Sequence, residues 1–260
     1  MNSLISINVK FMGVSPKELV ELILKSKYTK GVEIYIDVSK YKEVEYLDNL
    51  VFELKKNNLF LQIHGESNID VENQIKFLKK VEEYSDYLGY PIVFTLHSIY
   101  DSDKNLSIKK TTNYLYSIID GINNSKINVC LENLNDIKGI DRLEKEIITP
   151  IIINNESLYF TYDIGHELMD HGELLITNKY LIDNMKNIHI HTNNNISDHQ
   201  PIYINDNNFE KILKAITFLK LSHYKYNVVF EYDLYACSGN TTIEKIKNYL
   251  DSIDIVSEYL

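Results

Sequence analysis

Six segments of the sequence end on residues that can bind a metal ion or transfer a proton. Each segment is rich in β-branched or aromatic residues, and the residues at or directly after their ends are His64, His97, Glu132, Asp163, His191 and Glu231. Carboxylates that lie a few ångströms apart raise one another's pKa and cannot all ionise unaided. A divalent cation removes that conflict, and mixed imidazole and carboxylate ligands suit Zn²⁺, Mn²⁺, Fe²⁺ or Co²⁺ better than Ca²⁺. These residues therefore indicate a metal site if the fold brings them together.

Short runs of this kind alternate with helix-length stretches along the whole chain. The eight strand candidates are Leu4–Val9, Val32–Val38, Phe60–His64, Ile92–His97, Asn128–Glu132, Leu158–Tyr162, Ile188–His191 and Asn227–Glu231. Strands that alternate with helices indicate a parallel sheet. A doubly wound sheet usually carries a glycine-rich phosphate turn after its first strand, and no GxGxxG follows the first candidate here. We therefore predict an α/β fold, a (β/α)8 TIM barrel that forms a single domain over residues 1–260.

Several helices carry recognisable end signals. The segments Ser15–Glu18 and Thr241–Glu244 each place a glutamate three residues after a Ser or Thr, which predicts a capping box at a helix start. Residues 70–87 predict an amphipathic helix that ends near Gly89. Residues 141–148 predict a short helix that Pro150 closes.

The strand ends should meet at one opening of the barrel. In TIM barrels the active site lies at the carboxyl ends of the strands, where the loops converge. Alternate strand residues point to opposite faces, so Ile188 and Ile190 can face the helices while His189 and His191 point into the barrel. The same alternation of strand residues is expected to point four more side chains into the barrel: His64, Glu132, Asp163 and Glu231. Residues far apart in sequence are thus predicted to form one cluster.

Composition limits the classes of partner. The net charge is −10 and the only arginine is Arg142, so phosphate backbones are repelled and bidentate phosphate clamps are scarce. Nucleic acid is therefore a disfavoured partner. Two cysteines indicate a reducing compartment. With no basic leader at the start and no apolar run of about 18 residues, we expect a cytoplasmic protein without a membrane partner.

The order of the strand-end motifs resembles that of the xylose isomerase-like TIM barrel superfamily. The motifs are His64, His97, LEN at Leu131–Asn133, DIGH at Asp163–His166, HIH at His189–His191, DHQPI at Asp198–Ile202 and FE at Phe230–Glu231. That superfamily contains sugar and sugar-phosphate isomerases and epimerases, and also phosphodiesterases of the endonuclease IV type. Each motif is weak alone, but their shared order along the chain is specific.

The resemblance implies a ligand set and roles for individual residues. It implies a metal held by Glu132, Asp163, His191 and Glu231, with His189 as the rival ligand on the seventh strand. In an epimerase His166 would contact the substrate. In the endonuclease-like branch the residues for additional metals would be His64, His97, His166, Asp198 and His199. Ser197 stands where that branch usually has an Asp, and the glycine of its D-x-H-x-P-x-G pattern is missing.

The leading hypothesis is a divalent-metal-dependent isomerase or epimerase acting on a small sugar, sugar phosphate or related polyol-ketone through an enediolate. Glu132 and Glu231 would be its acid/base pair and His166 a donor to substrate. The metal would be Zn²⁺ or Mn²⁺, with Co²⁺, Fe²⁺ or Mg²⁺ as alternatives. Phe11 and Tyr232 follow the first and last strands and are expected to line the substrate pocket.

Two other functions compete with this one. An endonuclease IV-like phosphodiesterase with two or three metals would use the extra histidines, whereas the acidic charge argues against it. A barrel that only binds a ligand ranks lowest, since no core ligand is missing. Glu33 lies deeper on the second strand and is expected to support the fold. The sequence leaves open the substrate, the metal and whether the chain forms a homo-oligomer.

Overall fold

The eight strands close into one parallel barrel. The structure is a computed structural model that describes residues 2–9, 13–66, 69–134, 145–171, 178–193, 198–222 and 224–260. The strands are β1 Ser3–Asn8, β2 Thr29–Ile36, β3 Phe60–Gly65, β4 Ile92–Leu96, β5 Ile127–Glu132, β6 Leu158–Asp163, β7 Met185–Ile190 and β8 Asn227–Phe230. Each strand pairs in parallel with the next, and β1 pairs with β8. The predicted (β/α)8 TIM barrel is confirmed.

Helices follow the strands around the outside. They are α1 Pro16–Ile23, α2 Tyr41–Lys56, α3 Val71–Leu88, α4 Lys104–Gly121, α5 Lys145–Ile153, α6 Ile164–His171, α7 Lys179–Asn184, α8 Phe209–Leu221 and α9 Thr242–Ser257. Strand residues such as Ile34, Phe94 and Ile188 are fully buried and belong to the same apolar cluster as the helix residues Leu47 and Leu78. Burial of this apolar surface is the main force that holds the helices against the barrel.

The predicted capping signals are confirmed. Ser15 Oγ accepts from the Glu18 N–H at 3.3 Å, and the Glu18 carboxylate accepts from the Ser15 N–H at 3.0 Å. The Thr241 and Glu244 pair at the start of α9 makes the same reciprocal bonds. Helix α3 ends at Leu88, and the left-handed φ of 91° at Gly89 ends it without a Cβ clash.

Helix α5 differs from its prediction. Pro150 lies inside the helix, which continues to Ile153, whereas the sequence predicts an end before the proline. Ile151 and Ile152 beyond it are buried in the apolar core, so their burial offsets the lost backbone hydrogen bond. Residues 141–144 of the predicted helix lie outside the described residues.

The barrel interior contains a polar layer beneath the mouth. The hydroxyl oxygens of Thr95 on β4 and Thr161 on β6 lie 2.9 Å apart. The Asn187 amide on β7 donates to Glu33 on β2 at 3.0 Å. Because these strands are not neighbours, the contacts must cross the inside of the barrel. A polar interior of this kind can orient the residues at the mouth above it.

None of the described helices combines the length and apolar character needed to cross a membrane.

Candidate active site

Four side chains that can bind a metal come from four successive strands and meet at the mouth of the barrel. Glu132 ends β5, Asp163 ends β6, His189 is the penultimate residue of β7, and Glu231 directly follows β8. The first three side chains are fully buried and that of Glu231 is 14% exposed. One ligand atom from each of the four lies within 4.8 Å of the other three. The fold therefore gathers three carboxylates and an imidazole around one point.

His189 occupies the centre of this group, which we call the main cluster. Its Nδ1 lies 2.7 Å from Glu231 Oε2, 3.4 Å from Glu132 Oε1 and 3.9 Å from Asp163 Oδ2. All three oxygens thus face the same ring nitrogen. The carboxylates come from different strands, so their approach is imposed by the barrel and not by local sequence.

The chemistry of the main cluster fits a divalent cation. The four facing atoms are buried, and none has a hydrogen-bond partner of acceptable geometry among the residues that the structure describes: Glu132 Oε1, Asp163 Oδ2, His189 Nδ1 and Glu231 Oε2. Buried polar atoms are normally hydrogen-bonded, and exceptions call for an explanation. A cation bound among the four would satisfy all of them at once, with the oxygen and nitrogen ligands that Zn²⁺ and Mn²⁺ accept.

Electrostatics lead to the same conclusion. Burial alone would lower the pKa of His189, but the carboxylates of Glu33, Glu231 and Glu132 outweigh burial and raise this pKa well above its ordinary value. Burial would raise the pKa values of Glu132 and Glu231, but the charge of His189 holds both well below their ordinary values. Despite burial, nearby carboxylates also raise the pKa values of His64 and His199. Buried carboxylates at this mouth are thus stabilised by positive charge, which a bound metal cation would also supply.

A second group, the imidazole cluster, lies beside the first and shares Asp163 with it. It consists of Asp163, His166, His191 and His199. His191 Nε2 lies 3.2 Å from Asp163 Oδ1, and the rings of His191 and His199 stack with centroids 4.3 Å apart. The Asp198 carboxylate lies 3.0 Å from His199 Nδ1. The imidazole cluster has the donor types of a further cation site.

His166 is held in a defined orientation. Its Nδ1 lies 3.0 Å from the Asn133 carbonyl oxygen, and its backbone N–H donates to Asp163 Oδ1 at 2.7 Å. Burial is the main reason that the pKa of His166 is lowered, so the ring is neutral near pH 7. A neutral ring that donates through Nδ1 to a carbonyl has a free lone pair at Nε2. That nitrogen can accept a hydrogen bond from a ligand hydroxyl.

Two further histidines contact the other oxygen of Glu132. His64 Nε2 lies 3.0 Å and His97 Nε2 lies 3.3 Å from Glu132 Oε2. Tyr35 on β2 stacks on the His64 ring at 4.7 Å. Glu132 thus presents Oε1 to the main cluster while imidazoles hold Oε2, which fixes the plane of its carboxylate.

The two histidines at the end of the seventh strand, His189 and His191, lie in different surroundings. The family resemblance implies His191 as the ligand, with His189 as its rival, and the structure places His189 beside Glu132 and Glu231. Strand β7 ends at Ile190, so His191 lies past the strand end, where its ring reaches only Asp163 of the main cluster. The geometry therefore favours His189, and the ligand assignment itself stays a prediction.

The structure places the remaining predicted residues as follows. Tyr232 is buried, stacks on Tyr249 of α9 at 4.7 Å, and donates its backbone N–H to the Tyr249 hydroxyl. Its ring therefore lies between the barrel and α9, and its predicted role in lining the substrate pocket stays a prediction. Phe11, the other predicted pocket residue, lies outside the described residues, as does Ser197.

Sequence reasoning missed two residues at this end of the barrel. Asn133 joins the ends of β5 and β6, since its side-chain amide donates to the Asp163 carbonyl and its oxygen accepts from the Asp163 N–H, at 2.9 and 2.8 Å. Its place in the LEN motif is the signal that could have identified it. Tyr35 shares the inward parity of Glu33, which could have placed it at the mouth.

Gly165 permits the close approach of α6 to the imidazole cluster, because a Cβ there would overlap the His191 ring. We expect Gly165→Ala to displace that ring and to lower the free energy of unfolding by about 1–3 kcal/mol. The main cluster should keep its metal affinity within about threefold, as His189 lies on β7 and not against Gly165. Denaturant unfolding and Co²⁺ titration measure the two effects, and unchanged stability would contradict the close packing of this glycine against His191.

Comparisons with known proteins support the fold. No protein-family model matches the chain, and no curated protein matches it by sequence. Among solved structures, D-allulose 3-epimerase from a Methylomonas species in complex with D-allulose superposes with a TM-score of 0.73 at 11% identity, covering 100% of this chain and 98% of that one. The 3-keto-D-glucoside 4-epimerase of E. coli gives 0.68 at 14% identity, with 99% of each chain covered.

A third solved structure is a xylose isomerase domain protein from Alicyclobacillus acidocaldarius. It superposes with a TM-score of 0.63 at 10% identity, and 99% of each chain is covered. The TM-scores and the coverage of these matches establish a shared fold, whereas sequence identities this low carry no conclusion about activity. The chain therefore has the fold of the xylose isomerase-like TIM barrels, as the order of its strand-end motifs predicts.

Proposed function

We propose that the chain is a divalent-metal-dependent epimerase or isomerase that acts on a small sugar bearing a carbonyl group. The observation that carries this proposal is the pair Glu132 and Glu231. Glu132 Oε1 and Glu231 Oε2 face one point, beside His189 Nδ1, from strands that lie three apart around the barrel. The epimerases among the structural neighbours, including one solved with D-allulose, support the same reaction class.

The metal would be held by Glu132, Asp163, His189 and Glu231, the residues of the main cluster. A divalent cation in this position supplies Lewis-acid polarisation of the substrate's carbonyl and hydroxyl oxygens. Zn²⁺ and Mn²⁺ suit the donor set, and Co²⁺, Fe²⁺ or Mg²⁺ are alternatives. Arg142 is the only arginine, so a sugar without phosphate fits at least as well as a sugar phosphate.

The two glutamates divide the proton transfers. One carboxylate removes the proton from the carbon next to the carbonyl, and the electron pair moves onto the carbonyl oxygen to give an enediolate. The other returns a proton to the opposite face of the carbon, which inverts its configuration. The glutamate that removes the proton is ionised at that step, and the glutamate that returns a proton has first taken one up from solvent. His166 Nε2 accepts from a substrate hydroxyl and fixes the sugar's orientation; this replaces the donor role expected from the sequence, because Nδ1 carries the ring proton toward the Asn133 carbonyl.

Deuterium exchange tests the reaction. The purified protein is incubated in D₂O with Mn²⁺ or Co²⁺ and a panel of ketoses and ketose phosphates, and products are followed by NMR. We expect one epimer pair to interconvert with deuterium at the inverted carbon. Failure of every ketose and ketose phosphate to exchange its proton, in a protein that has bound metal, would contradict the proposal.

A second candidate function is a phosphodiesterase of the endonuclease IV type. It is favoured by the histidines that a one-metal epimerase does not require: His64 and His97 on Glu132 Oε2, and the imidazole cluster with Asp198 beside it. Glu132 and Asp163 each belong to two candidate groups and would hold the additional metals together with these histidines, and the metals would supply the Lewis-acid chemistry of a phosphodiester hydrolysis. Against it stand the net charge of −10 and the single arginine.

Metal stoichiometry separates the two functions. We expect one tightly held equivalent per chain by elemental analysis of protein purified without a histidine tag. That equivalent should persist in His64→Ala and His199→Ala, since neither residue belongs to the main cluster. Two or three equivalents, of which one is lost in each variant, would favour the phosphodiesterase. A protein that binds no metal even after incubation with Mn²⁺, Zn²⁺ or Co²⁺ would rule out both.

A further inference from the structure

Glu33 is a fully buried carboxylate that takes no part in the proposed reaction. It lies on β2, across the barrel from β7, and one layer below the mouth. Fully buried carboxylates are rare unless they are paired. The partners of Glu33 therefore indicate why it is there.

Two nitrogen donors from β7 converge on Glu33. His189 Nε2 lies 3.1 Å from Glu33 Oε1 and 3.2 Å from Oε2, and Asn187 Nδ2 donates to Oε2 at 3.0 Å. His189 therefore spans the interior, with Nε2 on the carboxylate below and Nδ1 on the three carboxylates of the main cluster above. Because the imidazole ring is rigid, the contact of Nε2 with Glu33 sets the direction in which Nδ1 points.

The contacts of His189 Nε2 show whether this nitrogen carries a proton. Asn187 Nδ2 also lies 2.9 Å from His189 Nε2, so an unprotonated Nε2 could accept from Asn187. An unprotonated Nε2 would then point its lone pair at the Glu33 carboxylate, which is repulsive at 3.1 Å. With a proton on Nε2, His189 and Asn187 both donate to Glu33, and both contacts with the carboxylate are attractive.

We propose that Glu33 is a positioning residue that binds the Nε2–H of His189 and so directs the Nδ1 lone pair of that ring to the metal of the main cluster. A carboxylate that accepts the far N–H of a ligand histidine fixes its tautomer and ring orientation, and the loss of such a partner weakens metal affinity by about 10–100-fold. The metal part of this inference rests on the proposed function, whereas the contact between Glu33 and His189 does not.

Gln62 provides the matched control. It is buried on β3 in register with Glu33, and its two side-chain polar atoms have no hydrogen-bond partner in the described part of the chain. Replacement by Leu removes a polar side chain from the same layer without removing a contact to His189. A general disturbance of the interior would appear in Gln62→Leu as well as in Glu33→Leu.

The test uses two measurements on the wild type, Glu33→Leu, Glu33→Gln and Gln62→Leu. In metal-free protein with ¹⁵N-labelled histidine, the Nε2–H signal of His189 is assigned by its loss in His189→Gln. We expect this signal to shift or exchange faster in Glu33→Leu and to remain in Gln62→Leu. Co²⁺ affinity, measured by visible absorption against a competing chelator, should fall about 10–100-fold in Glu33→Leu. It should fall less in Glu33→Gln, which keeps one acceptor oxygen.

Each outcome has a defined meaning. An unchanged Nε2–H signal in Glu33→Leu, or an equal loss of Co²⁺ affinity in Gln62→Leu, overturns the proposal. Should Glu33→Leu fail to fold, Glu33→Gln decides by the same two measurements. A wild type that binds no Co²⁺ while its Nε2–H signal still depends on Glu33 refutes the proposed function and supports the contact.

Discussion

His189→Gln is expected to abolish tight metal binding, with Co²⁺ affinity reduced by about three orders of magnitude or more. His189 supplies the only nitrogen in the main cluster, and its Nδ1 faces all three carboxylates. His191→Gln is the matched control, because that residue lies two positions along the chain and is equally buried. The His191 ring contacts only Asp163 of the main cluster, so we expect His191→Gln to lower Co²⁺ affinity by less than about tenfold. Loss of a residue that only supports a ligand typically lowers metal affinity by about 10–100-fold. Titration with Co²⁺ measures both.

The two variants also differ in stability without metal. Removal of the His189 imidazolium leaves buried carboxylates without their cation, and breaking a buried pair costs about 3–5 kcal/mol. Circular dichroism must therefore show that His189→Gln is folded before its affinity is interpreted. A large loss in His191→Gln together with a small one in His189→Gln would return the ligand role to His191 and would refute the main cluster as the metal site.

Glu132→Gln and Glu231→Gln are each expected to lower kcat for epimerisation by about 10³-fold or more at saturating Mn²⁺. General acid–base groups contribute about 10²–10⁴-fold, and glutamine keeps a metal-binding oxygen but cannot accept the proton from carbon. Asp37→Asn is the matched control, as Asp37 also follows a strand but is bound by Lys40 and Ser39. It should retain activity within about threefold.

Solvent exchange measured separately for each epimer tests the roles of Glu132 and Glu231 more sharply than kcat does. If each glutamate serves one face of the intermediate, each variant should lose solvent exchange from one epimer more than from the other. Equal activity of either glutamine variant and the wild type at full metal occupancy would exclude that glutamate as an acid or base.

The barrel is predictable from the sequence because its signals are repeated. Alternating strands and helices recur along the chain, so an error at one element does not change the topology. The capping boxes at Ser15 and Thr241 are local and depend on adjacent residues alone. The end of α5 is not predictable from Pro150, because the burial of Ile151 and Ile152 depends on distant contacts that local propensity does not contain.

The sequence predicts which strand ends supply the residues of the site. Glu132, Asp163 and Glu231 converge as expected, since the carboxyl ends of barrel strands meet at one mouth. Parity alone gives His189 and His191 the same inward direction, and only the point where β7 ends separates them. Tyr232 follows Glu231 directly, so the same parity could have placed its ring toward the helices. The contact between Glu33 and His189 depends on the register across the barrel, which no local pattern encodes.

The most direct test of the metal site is the position of a bound ion. A crystal soaked with Mn²⁺ would be measured by anomalous diffraction. We expect one strong peak about 2.0–2.3 Å from the ligand atoms of Glu132, Asp163, His189 and Glu231. A peak confined to the imidazole cluster of His166, His191 and His199, or no peak at the mouth of the barrel, would contradict the proposed site.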